Sequence, residues 1–158
     1  METEAYLGRD DRAAHAWRGE TKRTRVLFGL PGHAYVYLIY GMYWCLNFVC
    51  EPRGSAGCVL IRAVEPLCGV ALMERRRGGG RRLQDLASGP GKLTVALGVT
   101  DDQNAADLVR GRLRVRESNE AGALEIAVTP RIGIRHNADW PLRFVLAGSA
   151  YTSRPRLT

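Results

Sequence analysis

Apolar runs separated by short turn signals dominate the first half of the chain. Two runs dense in β-branched and aromatic residues, at 34–40 and 42–50, predict strands. Gly41 separates them and predicts the turn of an antiparallel hairpin. A third such run at 58–64 predicts another strand, and the proline that follows favours a helix over 66–77.

The second half of the chain carries weaker patterns. The segment 88–92, rich in Gly and Pro, precedes an apolar run at 93–97, which is typical of a loop that leads into a short helix. Residues 112–116 alternate strictly between arginine and apolar side chains and therefore predict a strand. Further strands are predicted at 124–128 and 142–146.

Predicted strands thus outnumber predicted helices, and the connections between them are short. This pattern predicts an α+β fold: a single domain over 1–158, with a curved, mostly antiparallel β-sheet flanked by short helices. The chain has 158 residues, of which 46% are hydrophobic and 25% charged, and these proportions fit one globular domain with a single core.

The charge of the chain suggests a class of partner. The formal net charge is +7 and the sequence pI is about 9.7, so we expect an anionic partner, with nucleic acid the first candidate. Of 23 basic residues only Lys22 and Lys92 are lysines, and guanidinium groups suit forked phosphate contacts better than ammonium groups. A GC-rich genome produces the same bias, so the bias alone does not identify a DNA-binding surface.

Four cysteines, at positions 45, 50, 58 and 68, form no CxxC pair and have no histidine at zinc-finger spacing. We therefore predict that they are small apolar core residues, and we expect neither a metal site nor a cofactor. The sequence contains no signal-peptide pattern and no run of 18 apolar residues. A reducing bacterial cytoplasm, in association with the nucleoid and not with a membrane, is the expected location.

Several segments of the chain form a recognisable set of motifs. The first is the N-terminal Glu-Thr-Glu-Ala-Tyr-Leu-Gly at 2–8, followed by Ala-His at 14–15. The next are Tyr-Val-Tyr-Leu-Ile-Tyr-Gly-Met-Tyr at 35–43 leading to Asn47, Cys-Val-Leu-Ile-Arg-Ala-Val-Glu-Pro at 58–66, Ser-Gly-Pro-Gly-Lys-Leu at 88–93, and the closing segments 131–134 and 141–144. Together and in this order they resemble the alkyladenine (3-methyladenine) DNA glycosylases, also called methylpurine-DNA glycosylases, and the resemblance covers nearly the whole chain.

This resemblance implies that Glu4 is the general base of the reaction. Hydrolysis of an N-glycosidic bond needs a water held against the anomeric carbon, and a carboxylate is suited to orient and deprotonate it. Arg62 lies in an otherwise apolar strand, so its charge should have a partner or face a cavity. The resemblance implies that Arg62 helps to hold the water. The alternatives are an exposed strand glutamate and an edge-strand arginine that reaches solvent.

A damaged base that has left the duplex needs aromatic plates, and the resemblance assigns this role to Tyr6, His15 and Tyr37. An alkylated purine is cationic and is attracted to an electron-rich ring face by about 0.5–2 kcal/mol. Asn47 matches the residue that excludes the exocyclic amine of normal guanine. The residues alone also allow sheet packing for Tyr37, a surface position for His15, and a backbone hydrogen bond for Asn47.

The tip of the predicted hairpin matches the part of the family that enters DNA. Tyr40 corresponds to the intercalating tyrosine, with Met42 and Tyr43 beside it as a wedge in the minor groove. Three basic residues are expected to contact backbone phosphates: Lys92, Arg77 and Arg23. A helix C-terminus also favours positive charge, which explains Arg77 without DNA.

The expected function is base-excision repair of double-stranded DNA that contains damaged purines. The chain would flip alkylated or deaminated purines, such as 3-methyladenine, 7-methylguanine and hypoxanthine, and would hydrolyse the bond with a Glu-activated water. The matched active-site segments contain no lysine, so no Schiff-base step is expected, and neither is an oligomer. The alternatives are a catalytically impaired DNA-binding module of the same fold and a domain that binds acidic proteins.

The beginning of the sequence differs from the family's pattern. Members carry a helix and a strand before the Glu-Thr-Glu-Ala-Tyr element, whereas here that element follows Met1 directly. We expect that the family's N-terminal segment is missing. Our hypothesis is that Met1 is a misassigned initiator inside a longer reading frame, because the family often has valine here and the valine codon GTG can serve as a bacterial start. The strand with Glu4 would then have little preceding chain to pair with, and terminal residues stay ordered only when a sheet holds them.

Overall fold

The computed structural model of the protein describes residues 1–117 and 124–153. Within these ranges the chain forms one six-stranded antiparallel sheet, two α-helices and several short 3-10 turns, as the predicted α+β class requires. The strands and helices are β1 (Glu2–Tyr6), β2 (Ala34–Ile39), β3 (Tyr43–Val49), β4 (Cys58–Ala63), α1 (Val70–Arg76), α2 (Pro90–Leu97), β5 (Ile126–Thr129) and β6 (Arg143–Leu146). The order of strands in the sheet is β2-β3-β4-β1-β6-β5.

The first strand of the chain is an interior strand of the sheet. Glu4 of β1 lies opposite Leu60 of β4 on one side and opposite Arg143 of β6 on the other. Both partners come from the chain that follows β1, so this strand is held along both edges. The pairing of β1 therefore does not depend on preceding chain.

Alternation along β2 places its side chains in two different apolar clusters. Ala34 and Val36 point to the face that α2 covers, where Leu93 of that helix joins them. Tyr35 points to the opposite face, where it packs with Leu27 and other buried residues of the turns at 15–28. Because successive residues of a strand face opposite sides, each face acquires its own buried layer. We call the side with Tyr35 the site face.

The predicted hairpin is confirmed, and its turn is unusual. Tyr40 and Gly41 both have positive φ, 55° and 68°, and the Met42 N–H donates to the Ile39 carbonyl at 3.2 Å. Positive φ at both central residues is what tight hairpin turns require, and glycine adopts it freely. A tyrosine in this conformation is strained by about 1–2 kcal/mol, and Tyr40 is 80% exposed. The turn therefore projects a tyrosine into solvent.

Both predicted helices differ from the observed ones in where they begin. The first helix begins at Val70 and not at Pro66, because Gly69 has a left-handed φ of 71° and its carbonyl accepts the Leu72 and Met73 N–H groups. The second begins at Pro90, three residues before the apolar run. Proline at the first helical position thus opens the second helix and not the first.

The predicted strand at 112–116 is wrong. Its backbone folds back on the preceding loop, where the Val115 N–H donates to the Leu108 carbonyl at 2.8 Å. The Arg114 side chain donates to the carbonyls of Gly111 and Arg110, at 2.6 and 3.2 Å. Local hydrogen bonds therefore replace the ladder of a neighbouring strand. The strands predicted at 124–128 and 142–146 are confirmed as β5 and β6, with shifted ends.

The cysteine prediction holds for only half of the cysteines. Cys45 and Cys58 are buried on the site face, whereas Cys50 and Cys68 are exposed. The exposed pair lies beyond the ends of β3 and β4, outside the alternation that buries the other two. None of the helices in the described ranges has the length and apolar character needed to cross a membrane.

Candidate functional site

A cavity of about 380 Å³ opens on the site face. Strands β1 to β4, the loops around residues 14 and 133, and the first residues of α2 all contribute to its wall. Six of the side chains that line it are aromatic: Tyr6, His15, Tyr35, Tyr37, Tyr40 and Tyr43. The structure therefore brings the three predicted plates and the predicted intercalating tyrosine to one cavity.

Three of these rings form a connected cluster. The His15 ring meets Tyr37 edge to face, with centroids 4.5 Å apart and planes at 71°. Tyr35 lies beside Tyr37 at 5.4 Å, and its hydroxyl is 3.0 Å from His15 Nδ1. Such pairs stabilise each other's orientation beyond simple burial. Tyr37 is therefore part of a fixed aromatic wall, and burial and the neighbouring Cys45 raise the pKa of its hydroxyl.

His15 lies where this wall reaches the mouth of the cavity, and its residue surface remains open to solvent. The surrounding side chains still desolvate the imidazole, and with the nearby Arg23 they lower its pKa to about 4. At neutral pH the ring is therefore uncharged. An uncharged ring can lie against a cationic base without charge repulsion.

The Glu4 carboxylate is fully buried and lies directly behind the cavity wall. Its Oε2 accepts a hydrogen bond from the Tyr6 hydroxyl at 3.0 Å, and its Oε1 accepts one from the Ile132 N–H at 2.8 Å. Arg62 Nη1 is 3.3 Å from the same Oε1. Burial and the adjacent Glu4 raise the pKa of Tyr6, so its hydroxyl keeps the proton that it donates. These three partners, unlike Glu4, line the cavity.

Arg62 is held from behind by a second buried carboxylate, that of Glu2. Arg62 Nε and Arg143 Nε each donate to Glu2 Oε1 at 2.8 Å, and Ser153 adds bonds of 2.6 and 2.7 Å from its N–H and hydroxyl. Burial alone would raise the pKa of Glu2, but the bonds from Arg143, Ser153 and Arg62 outweigh it and lower the pKa. The prediction that Arg62 has a partner or faces a cavity is confirmed, since it does both.

A second buried ion pair holds the loop that carries Ile132. Arg131 and Asp11 form a two-pronged pair in which neither side chain has solvent exposure, with Nη2 at 3.0 Å from Oδ1. Arg131 also donates to the Ala5 carbonyl at 3.0 Å and lies over the Tyr6 ring at 4.6 Å. Burial opposes ionisation of Asp11, but the hydrogen bond from Arg131 lowers its pKa. The pair therefore fixes Ile132 against β1.

Asn47 is hydrogen-bonded to the backbone and also lies in the cavity wall. Its Nδ2 donates to the Tyr35 carbonyl at 3.1 Å, as expected for a buried amide, and the residue also lines the cavity. The Cys58 thiol donates to its Oδ1 at 3.8 Å, and burial raises the pKa of this thiol to about 12. Both ends of the amide are thus engaged, which fixes the side chain in one orientation.

The tip of the hairpin projects at the mouth of the cavity. Tyr40, Met42 and Tyr43 are 80%, 65% and 41% exposed, and both tyrosines also line the cavity. Tyr43 packs on the start of α2, where a Cβ at Gly91 would lie only 2.9 Å from the Cβ of Tyr43. This glycine therefore permits the close approach of hairpin and helix.

The three predicted phosphate-binding residues fall into two places. Arg77 and Lys92 line one polar cleft of about 410 Å³, together with Arg81, Arg82 and Asp85. Arg77 Nε donates to the Leu86 carbonyl, and burial together with Arg81 lowers the pKa of Arg77. Arg23 instead lies over the Tyr37 ring at 5.3 Å and is not among the residues of the cavity wall.

Comparison with known proteins identifies the family of this chain. The profile of the family described as methylpurine-DNA glycosylase matches residues 1–150. The chain belongs to the methylpurine-DNA glycosylase family. A relative from Methanoculleus marisnigri, named "Putative 3-methyladenine DNA glycosylase", is 53% identical over 98% of this chain and 81% of its own. Proteins of the same name from Koribacter versatilis and Bradyrhizobium diazoefficiens are 50% and 49% identical, over 99% and 98% of this chain and 77% and 76% of theirs.

The sequence analysis did not identify the buried residues that hold Arg62 and the Ile132 loop in place. Glu2 and Arg143 lie in motifs that carry the resemblance, but they received no role. A charged residue that alternates with apolar neighbours in a strand was the available signal for Arg143, the same signal that identified Arg62. No local signal singles out Asp11 or Ser153, because each meets its partner only in the folded chain.

Proposed function

We propose that this chain is a DNA glycosylase of base-excision repair that hydrolyses the N-glycosidic bond of alkylated or deaminated purines in double-stranded DNA. The carrying observation is the Glu4 carboxylate, buried behind an aromatic cavity and bonded to three groups that line it. Membership in the methylpurine-DNA glycosylase family and the names of its relatives support the same activity.

The cavity is suited to a planar base that has left the DNA stack. The side chains of Tyr6, His15 and Tyr37 line a space of about 380 Å³, which is in the range of small-ligand sites. A purine alkylated at N3 or N7 is cationic, and neutral aromatic faces attract it. The fixed amide of Asn47 excludes the exocyclic amine of guanine by occupying the wall near the base.

Glu4 acts in this proposal as the general base. It takes a proton from a water, the water oxygen attacks the anomeric carbon, and the electron pair of the glycosidic bond leaves with the purine. A cationic purine departs as a neutral base and needs little acid assistance, whereas neutral hypoxanthine departs as an anion that must take up a proton from water. Arg62 and the Ile132 N–H orient the carboxylate towards the cavity. Neither lysine of the chain lines the cavity, so the reaction is expected to stop at the abasic site.

Tyr40 takes the place that the base vacates. Unstacking a nucleotide costs a few kcal/mol, and an inserted aromatic ring recovers part of that cost. A strained turn that holds this ring in solvent beside the cavity supports the role, because strain in a backbone often accompanies function. Met42 and Tyr43 flank it as the wedge, and Arg77 and Lys92 offer positive charge to backbone phosphates.

A second candidate function is DNA binding without catalysis. The hydrogen bond from the Tyr6 hydroxyl to Glu4 Oε2 favours it, because this oxygen is occupied and a base must reach the water that it activates. In the catalytic proposal Tyr6 turns towards the bound base and frees this oxygen. Base release from damaged DNA separates the two candidates.

The test is Glu4→Gln in single-turnover release of hypoxanthine and of 3-methyladenine. We expect a loss of about 10²–10⁴-fold in rate with binding to damaged duplex retained, since the amide keeps the shape but cannot accept the proton. Glu20→Gln is the matched control, because Glu20 is an exposed glutamate paired with Arg25. Wild-type rates in Glu4→Gln would exclude Glu4 as the base, and absence of release by the unmodified protein would favour the binding module.

A further inference from the structure

A cluster of two arginines and a tryptophan lies beside the mouth of the cavity. The guanidinium carbons of Arg12 and Arg18 lie 5.5 and 4.9 Å from the centre of the Trp17 ring. Both arginines are exposed and Trp17 is half-buried. We refer to these three residues as the arginine–tryptophan cluster.

The cluster is built into the rim of the cavity. Ala13, Ala14 and His15 line the cavity, and Trp17 and Arg18 follow in the same 3-10 turn, His15–Arg18. At about 2 Å per residue, Arg18 starts roughly 6 Å beyond His15. The Arg12 N–H donates to the Asn137 side chain at 3.0 Å, which anchors the other end of the cluster.

The charge of the cluster is available to a ligand. In the part of the chain that the structure describes, no carboxylate is within ion-pair distance of Arg12 or Arg18. An aromatic face orients a guanidinium while leaving its N–H edge free for a forked contact. Two such groups held against one ring can each make a forked contact to phosphate oxygens, whereas a single flexible side chain can make only one.

We infer that the arginine–tryptophan cluster is a binding site for the DNA backbone, which holds phosphates beside the nucleotide whose base enters the cavity. This inference rests on the proposed function, since that function places the base next to His15. The site is distinct from the cleft of Arg77 and Lys92, so the two sets grip the strand at separate places. Contacts of this kind fix the enzyme's register without reading sequence, which suits a protein that scans for damage.

The salt dependence of binding tests the site. Arg12→Gln, Arg18→Gln and the double variant are compared with the unmodified protein on a duplex that contains a stable abasic-site analogue, over 50–200 mM KCl. The slope of log K against log salt is negative, and each lost phosphate contact should make it less steep by about 0.9. The slope of the double variant should therefore be less steep by about 1.8. Over this fourfold range of salt, its affinity should therefore fall about twelvefold less than that of the unmodified protein.

Arg112→Gln is the matched control. Arg112 is exposed, and the side chain of the next residue, Leu113, packs on the α2 side of the sheet, which is opposite to the site face. The slope of this variant should equal that of the unmodified protein. Trp17→Phe should keep the slope, whereas Trp17→Ala should make it less steep as the arginine variants do. Tryptophan fluorescence should change when this duplex is added, and Trp17→Phe should lose that change.

Unchanged slopes in all arginine variants would overturn the inference while leaving the proposed function intact, provided that the unmodified protein binds and excises. Equal slope changes in Arg112→Gln would also overturn it, because the effect would then reflect net charge alone. If the unmodified protein neither binds nor excises damaged bases, the proposed function itself fails, and the two failures are thereby distinguished.

Discussion

Glu2→Gln removes one negative charge from the centre of the buried network behind Arg62. The Glu2 side chain has no exposure, and the side chains of its partners Arg62 and Arg143 are 9% and 3% exposed. Glu2 Oε1 accepts three bonds and Oε2 accepts the Ser153 N–H. Because an amide has only one oxygen, either orientation of glutamine leaves at least one of these donors facing an NH₂ group.

The magnitude follows from this geometry. Breaking a buried charge pair by removing one partner costs about 3–5 kcal/mol. Arg62 retains Glu4 at 3.3 Å as a second acidic neighbour, so we expect the lower end, about 3 kcal/mol of unfolding free energy. For a domain of this size that corresponds to a fall in Tm of roughly 6–12 °C.

The effect should also depend on pH. The folded-state pKa of Glu2 lies below its ordinary value of 4.5, so its contribution to stability is complete above pH 4.5 and is lost as the pH falls through the folded pKa. The difference between unmodified protein and variant should therefore be constant above pH 4.5 and shrink below it. Urea unfolding at a series of pH values measures this difference directly.

The control for this prediction is Glu20→Gln at the surface. The side chains of Arg25 and Glu20 are 75% and 49% exposed, and such pairs contribute less than about 1 kcal/mol. The reasoning would be refuted if Glu2→Gln cost no more than this surface change, or if its cost stayed the same at low pH.

Three further predictions concern the cavity and the hairpin. Tyr40→Ser should slow excision more than it weakens binding to a duplex with a pre-formed abasic site, since that duplex needs no flipping; equal losses in both assays would contradict intercalation. The pKa of His15 is lowered to about 4, so its contribution to stability is present above its unfolded value of 6.5 and is lost as the pH falls towards 4. In His15→Phe the free energy of unfolding should therefore depend less on pH between 6.5 and 4. Gly91→Ala should lower stability by about 1–3 kcal/mol, as seen by thermal unfolding, because its Cβ would meet Tyr43; an unchanged Tm would show that the hairpin moves freely.

Local sequence determined the elements whose residues interact with near neighbours. The hairpin at 34–50 follows from its apolar runs and from Gly41, and its alternation already assigns Tyr37 and Asn47 to definite faces. The family motifs likewise singled out Glu4, Arg62 and His15, which the fold brings to one cavity or directly behind its wall. Such features survive in the sequence because strand period and turn geometry are set within a few residues.

Only the tertiary structure decided which charges meet. Glu2 accepts from Arg143, 141 positions away, and Asp11 pairs with Arg131, 120 positions away, because β1 lies between β4 and β6 in the sheet. The same dependence explains the wrong strand at 112–116, whose alternation suits a sheet but whose backbone found closer partners in its own loop. The alternation of residues along a strand determines which face of the sheet each side chain lies on. The order of the strands determines which side chains lie next to each other across the sheet, and buried ion pairs depend on this order.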